Sequence, residues 1–256
     1  MANWNDTDQR QGFGTVPRAG DAVARQETFD AGLRKHMLSI YNYMTSGVLL
    51  TGIVALLAAQ SGLALAFASG PLMWIVALAP LGFVLAMSFG LNKMSRGTLQ
   101  MLFWSFAIVM GLSMSTIFLR FTGESIAATF FATAGAFAGL SLFGYTTKKN
   151  LQGFGTFLVM GVIGLLIAMV INIFLQSSTM QLAISFIGVL IFAGLTAYDT
   201  QRLKREYLEI QRLKATNPQA AAMYPLGKMI IMGALSLYLD FINMFMFLLQ
   251  FMGNRE

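Results

Sequence analysis

Cysteine is absent from the 256 residues, which excludes disulfides, thiolate metal sites and cysteine nucleophiles. A single histidine, His36, excludes any multi-histidine metal centre. Charge is equally scarce: Asp, Glu, Lys and Arg make up 11% of the chain, against about 25% in an ordinary soluble domain. That is too little charge to clothe a water-exposed shell. No nucleophile–base pair or metal constellation stands out, so the chain does not read as an enzyme, and no cofactor is expected. The net charge of +6 does not point to nucleic acid, because in so apolar a chain the placement of Lys and Arg matters more than their sum.

What fills the chain instead is hydrophobic sequence, 56% of all residues. Residues 1–36 are polar and mixed in charge, with neither an apolar core nor a small-residue cleavage site, and read as a flexible tail rather than a signal peptide. From Met37 to Asn92 there is no charge. As one helix that stretch measures about 84 Å, against a hydrocarbon core of about 30 Å. It must break, and Gln60-Ser61-Gly62 through Ser69-Gly70-Pro71 supplies the turn chemistry. Continuing in this way gives a membrane domain over 37–253, with spans at about 37–60, 71–91, 98–119, 125–147, 153–175, 180–199 and 229–252. Gly135-xxx-Gly139 in the fourth reads as a close helix-packing site.

The basic residues test the count of seven. With the N-terminus cytoplasmic, fifteen Lys and Arg fall inside, and only Arg120 and Arg255 fall outside. That bias is the positive-inside pattern. The expectation is an all-α integral membrane protein, a seven-transmembrane-helix bundle with its N-terminus in the cytoplasm and the lipid bilayer as its surroundings.

Two acids interrupt this pattern. Asp240 lies in the middle of the last span, where a carboxylate costs roughly 2.5–3.5 kcal/mol on insertion scales and is by default a functional candidate. Ser236 and Asn243 share its helical face and make the span's single polar stripe. Asp199 closes the sixth span in Ala-Tyr-Asp-Thr-Gln-Arg. The plain alternative for each is a structural carboxyl: a register-setting group for Asp240, an interfacial charge near Arg202 for Asp199. Beyond Asp199 the helix is able to continue, since Leu203, Tyr207 and Ile210 recur at helical spacing over a basic face, as a segment on the membrane surface. Counted from the span ends, the two acids differ in depth, so they meet only if the sixth span dips deeper or the seventh starts later.

Phe192-Ala-Gly-Leu-Thr-Ala-Tyr-Asp-Thr-Gln-Arg-Leu-Lys204 resembles the signature of the Bax inhibitor-1 family of membrane proteins. Gly233-Ala-Leu-Ser-Leu-Tyr-Leu-Asp-Phe-Ile-Asn-Met-Phe245 is similar to that family's last helix, and the likeness extends over about residues 30–253. The resemblance implies seven helices with the C-terminal one central, and a pH-sensitive, calcium-permeable leak of the bacterial cytoplasmic (inner) membrane. By the same resemblance Asp199 and Asp240 share a proton, gate the path and transiently hold calcium as the bound or transported ion. A basic residue near the end of the second helix, Lys93 or else Arg96, would latch onto Asp199 when the path is shut. The alternative function is a non-transporting regulator that binds a membrane protease or other membrane partner, some bacterial relatives being tied to such roles. The polar tail favours that alternative.

Overall fold

The computed structural model describes residues 19–68 and 70–254, all in helices and short turns. In chain order the helices are α1 (Ala19–Gln60), the short α2 (Leu63–Phe67), α3 (Gly70–Gly90), α4 (Arg96–Met114), α5 (Gly123–Thr146), α6 (Gln152–Leu175), α7 (Ser178–Thr216), the short α8 (Pro218–Ala222) and α9 (Leu226–Met252). A 3-10 turn over Ser115–Leu119 prolongs α4. Seven of these helices are long and apolar enough to cross a membrane, the first from Asp30 onward. Of the tail assigned to residues 1–36, residues 1–18 lie outside the described residues, and from Ala19 on it is already helical.

The helix ends follow from local chemistry. Gly62 stops α1 in the left-handed region at φ 79°, which costs glycine nothing. Ser95, Thr122 and Ser177 cap α4, α5 and α7, each side-chain oxygen accepting a backbone N–H from the first turn. Alternation of the seven crossings puts Arg34, Lys35, Lys93, Arg96, Lys148 and Lys149 at one end of the bundle, and Arg120 at the other.

Around α9 the rest of the bundle assembles. Of its most apolar stretch 67% is buried, against 11% for α3 and 17% for α6, so α9 is the hub and those two helices mostly face lipid. Its neighbours are α1, α4, α5 and, over the greatest length, α7. Tyr238 of α9 stands wholly inside, with its hydroxyl 2.7 Å from that of Thr51 in α1. Thr51 in turn donates to the carbonyl of Ala107 in α4 at 2.8 Å. One buried polar chain thus pins three helices at a single level, where lipid supplies no hydrophobic push.

Two expectations are corrected here. The segment after Asp199 does not peel off along the membrane surface. It is the second half of α7, a continuous 39-residue helix in which Leu203, Tyr207 and Ile210 are buried. The reason is a partner: Tyr207 stacks on His36 with ring centroids 4.8 Å apart, and its hydroxyl fills the space beside Gly32. The early part of α1 therefore covers the apolar face that would otherwise have sought the bilayer. The second correction concerns close packing on α5. A side chain added at Gly135 or Gly139 would meet nothing, whereas one at Gly144 would run into the backbone carbonyl of Ala197 in α7. The approach of α5 to its neighbour is made at Gly144.

Candidate functional site

Asp199 sits 21 residues into α7, and the helix runs on for another 17, so the acid belongs to the interior of a helix and escapes the unfavourable field of a C-terminus. The α7 helix is held in place around it by its own polar side chains. Gln201, one of the buried polar residues, spans the α5–α6 turn: its amide donates to the carbonyl of Lys149 at 2.7 Å, and its oxygen accepts from the N–H of Leu151 at 2.9 Å. Thr200 donates to Ser141 of α5 at 3.4 Å. Position and rotation of the Asp199 side chain are thereby set from the α5 side.

On the other side stands α9. Ser236 donates its hydroxyl to Oδ2 of Asp199 at 2.5 Å. Arg202, one turn further along α7, donates through Nη2 to the Ser236 hydroxyl at 3.0 Å and lies 3.4 Å from Oδ1 of Asp199. Its Nε pairs more loosely with Glu206, at 3.6 Å, and makes no hydrogen bond. Asp199, Ser236 and Arg202 form a closed triangle in which each polar head touches the other two.

Asp240 lies one helical turn beyond Ser236 on the same face of α9, about 6 Å deeper along the axis. Only 4% of it is exposed, and its Oδ2 has no hydrogen-bond partner. The groups that act on it electrostatically are Asp199 and Arg202. Both acids are buried, one on each of the packed helices α7 and α9, and neither faces lipid. Asp240 stays about 6 Å deeper than Ser236, the residue that bonds Asp199, so the two acids belong to one interior region at neighbouring levels of the bundle.

The other candidates divide. Ser236 belongs to the cluster. Asn243 does not: its amide donates to the carbonyl of Leu239 in its own helix at 2.8 Å. It borders instead a separate cavity of about 300 Å³, shared with Ser113 and Thr116, in the other half of the bundle. Lys93 and Arg96 are both exposed, and the cation on Asp199 is Arg202 rather than either of them. Arg96 packs its side chain over Gly227 at the start of α9, where Lys228 reaches back to the carbonyl of Leu91 at 3.0 Å. Gly227 is nine residues short of Ser236, about 14 Å along the helix, beyond the reach of an arginine anchored there. Arg202 was open to discovery in the sequence, since Asp-x-x-Arg places both groups on one helical face provided the helix continues.

Two carboxyls, a hydroxyl and a guanidinium have limited chemistry. Calcium takes six to eight oxygens. Among the described residues no three acidic or histidine side chains gather in one place.

The model of the family described as inhibitor of apoptosis-promoting Bax1 matches residues 33–256. The chain belongs to the Bax inhibitor-1 family. Within it, a protein of Caulobacter vibrioides is 48% identical over 239 residues, 89% of this chain and 92% of the relative. Inner membrane protein YbhL of Escherichia coli is 43% identical over 228 residues, covering 88% and 94% of the two chains. The protein RP147 of Rickettsia prowazekii is 42% identical over 236 residues, covering 91% and 95%. These relatives of the Bax inhibitor-1 family chain are matched over nearly their full length.

Proposed function

We propose that this protein is a pH-sensitive, calcium-permeable leak of the bacterial inner membrane, lying with its basic end in the cytoplasm and gated by Asp199 and Asp240. The observation that supports this reading is the buried carboxyl of Asp240, with an oxygen left unpartnered, beside an acid already bound to Arg202 and Ser236. An ionised carboxylate in that position, with no donor, would cost several kcal/mol. The shut state thus holds one proton on the pair: Asp199 is charged and balanced by Arg202, and Asp240 is neutral. Adding a second proton cancels the charge that holds Arg202 and loosens the triangle. Removing the first leaves two negative groups side by side, which push α7 and α9 apart or draw in a divalent cation. The pair titrates as a unit, and leak rises on both sides of the one-proton state.

Calcium flux into proteoliposomes carrying an internal calcium dye tests this directly. Wild-type protein gives a minimum in leak, with an acid and an alkaline rise. Asp240→Asn keeps the pair in its one-proton charge state and loses the alkaline rise alone. An Asp240→Asn profile matching wild type, or flux no greater than in protein-free vesicles, would sink the gate. A second reading, a membrane regulator docking a membrane protease or other partner, draws on the half of α7 beyond Asp199, whose outer face is charged and accessible. Absent flux together with capture of a partner that is lost on deleting residues 1–30 would favour it.

A further inference from the structure

Between α1 and α5, which are not packed on one another, the bundle opens sideways into a cleft of about 680 Å³. Its floor is Phe241 of the central helix, next in sequence to Asp240. Along α1 it runs from Arg34 to Leu49, about 22 Å of helix, and along antiparallel α5 from Tyr145 back to Phe130. A single leaflet of a hydrocarbon core of about 30 Å is shorter than that. The deep part is walled by groups such as Val48, Leu49 and Phe130, and the polar groups gather toward one end, with Arg34, Tyr41 and Tyr145.

Water does not suit the deep part, because apolar walls offer it no hydrogen bonds. An elongated apolar ligand does. The polar end is also positive. The Arg34 side chain is exposed at the mouth, and Lys204 lies over the Tyr145 ring at 4.8 Å while bonding that residue's carbonyl at 2.7 Å. Exposed Lys35 and Lys148 share that end of the bundle. We infer that this cleft is a binding site for one anionic phospholipid of the leaflet at the basic end, with an acyl chain lying between α1 and α5 and the phosphate at Arg34. The charge arrangement selects the head group, and the length and lining of the cleft select the chain. The wall it touches includes Ser141, which accepts a hydrogen bond from Thr200, the sequence neighbour of Asp199, so two side chains separate the lipid from the acid cluster.

The test is native mass spectrometry of the detergent-purified full chain, with palmitoyl-oleoyl phosphatidylglycerol and the phosphatidylcholine of identical chains added in equal amounts. Wild-type protein should retain the anionic lipid about fivefold more than the zwitterionic one. Arg34→Gln should lose most of that preference while holding phosphatidylcholine as before. Ala138→Phe, which fills the cleft, should lower retention of both, and Ala128→Phe, on an exposed part of α5 outside it, should change nothing. Ala134→Leu serves the same purpose should Ala138→Phe fail to elute as folded protein. Equal retention of the two lipids by wild type, or an Arg34→Gln protein matching it, overturns the proposal. So does a shift in the monomer–dimer ratio, with lipid retention unchanged, on filling the cleft: that result assigns it to a second copy of the chain. None of these readouts depends on calcium flux, so failure here and failure of the gate are told apart.

Discussion

Replacing Arg202 by Gln removes the cation paired with Asp199 while keeping a side chain able to bond Ser236. At 3.4 Å and an effective dielectric constant of about 20, the attraction between the two charges is about 5 kcal/mol. That gross value must be discounted, because the Arg202 side chain is 38% exposed and water screens part of it. About 2 kcal/mol of net preference for the shut arrangement is a reasonable remainder, since breaking a fully buried pair costs about 3–5 kcal/mol. Two kcal/mol is about 30-fold in the ratio of shut to open. Arg202→Gln should therefore raise resting calcium leak in proteoliposomes at neutral pH by up to that factor and flatten the acid rise, because protonating Asp199 no longer releases anything. Lys93→Gln and Arg96→Gln serve as the comparison, and each should leave the profile within about twofold of wild type. The reasoning is refuted if Arg202→Gln leaks like wild type, and still more plainly if Lys93→Gln or Arg96→Gln produces the effect instead.

Two further expectations concern stability. Gly144→Ala should lower the thermal midpoint in detergent, at a cost of about 1–3 kcal/mol, because the new methyl meets the Ala197 backbone, which has nowhere to go. Gly135→Ala and Gly139→Ala, which meet nothing, should leave the midpoint where it is or raise it slightly. Tyr238→Phe removes a buried hydroxyl from Thr51 but spares the bond from Thr51 to Ala107. It should cost about 1 kcal/mol and be seen as a modest fall in the same midpoint.

Much of this architecture is legible in the chain because membrane insertion is a severe filter. Charge-free stretches such as Met37–Asn92 can be folded in few ways once the bilayer thickness is fixed, and the lopsided distribution of Lys and Arg separates seven crossings from six. The acids are legible for the same reason, since a carboxylate among Leu237, Leu239 and Phe241 is costly enough to need a purpose. What sequence periodicity could not reach was the pairing of surfaces. The face of α7 carrying Leu203, Tyr207 and Ile210 looks amphipathic either way, and only the presence of Gly32 and His36 opposite decides between a membrane surface and a protein neighbour. Read as sequence, Arg202 falls on the same undecided segment, which is why a latch at Lys93 or Arg96 near the end of the second span competes with it. Likewise, Gly135, Gly139 and Gly144 are indistinguishable as letters; the difference lies in which side of α5 faces α7.

The unbroken course of α7 has a mechanical consequence. From Asp199 to Thr216 the helix extends about 26 Å as one rod. Rotating it by about 5° around a pivot at the acid would swing its far tip by about 2 Å. A tilt of α7 at the level of Asp199 would therefore arrive, magnified, at the far end of the helix near Thr216.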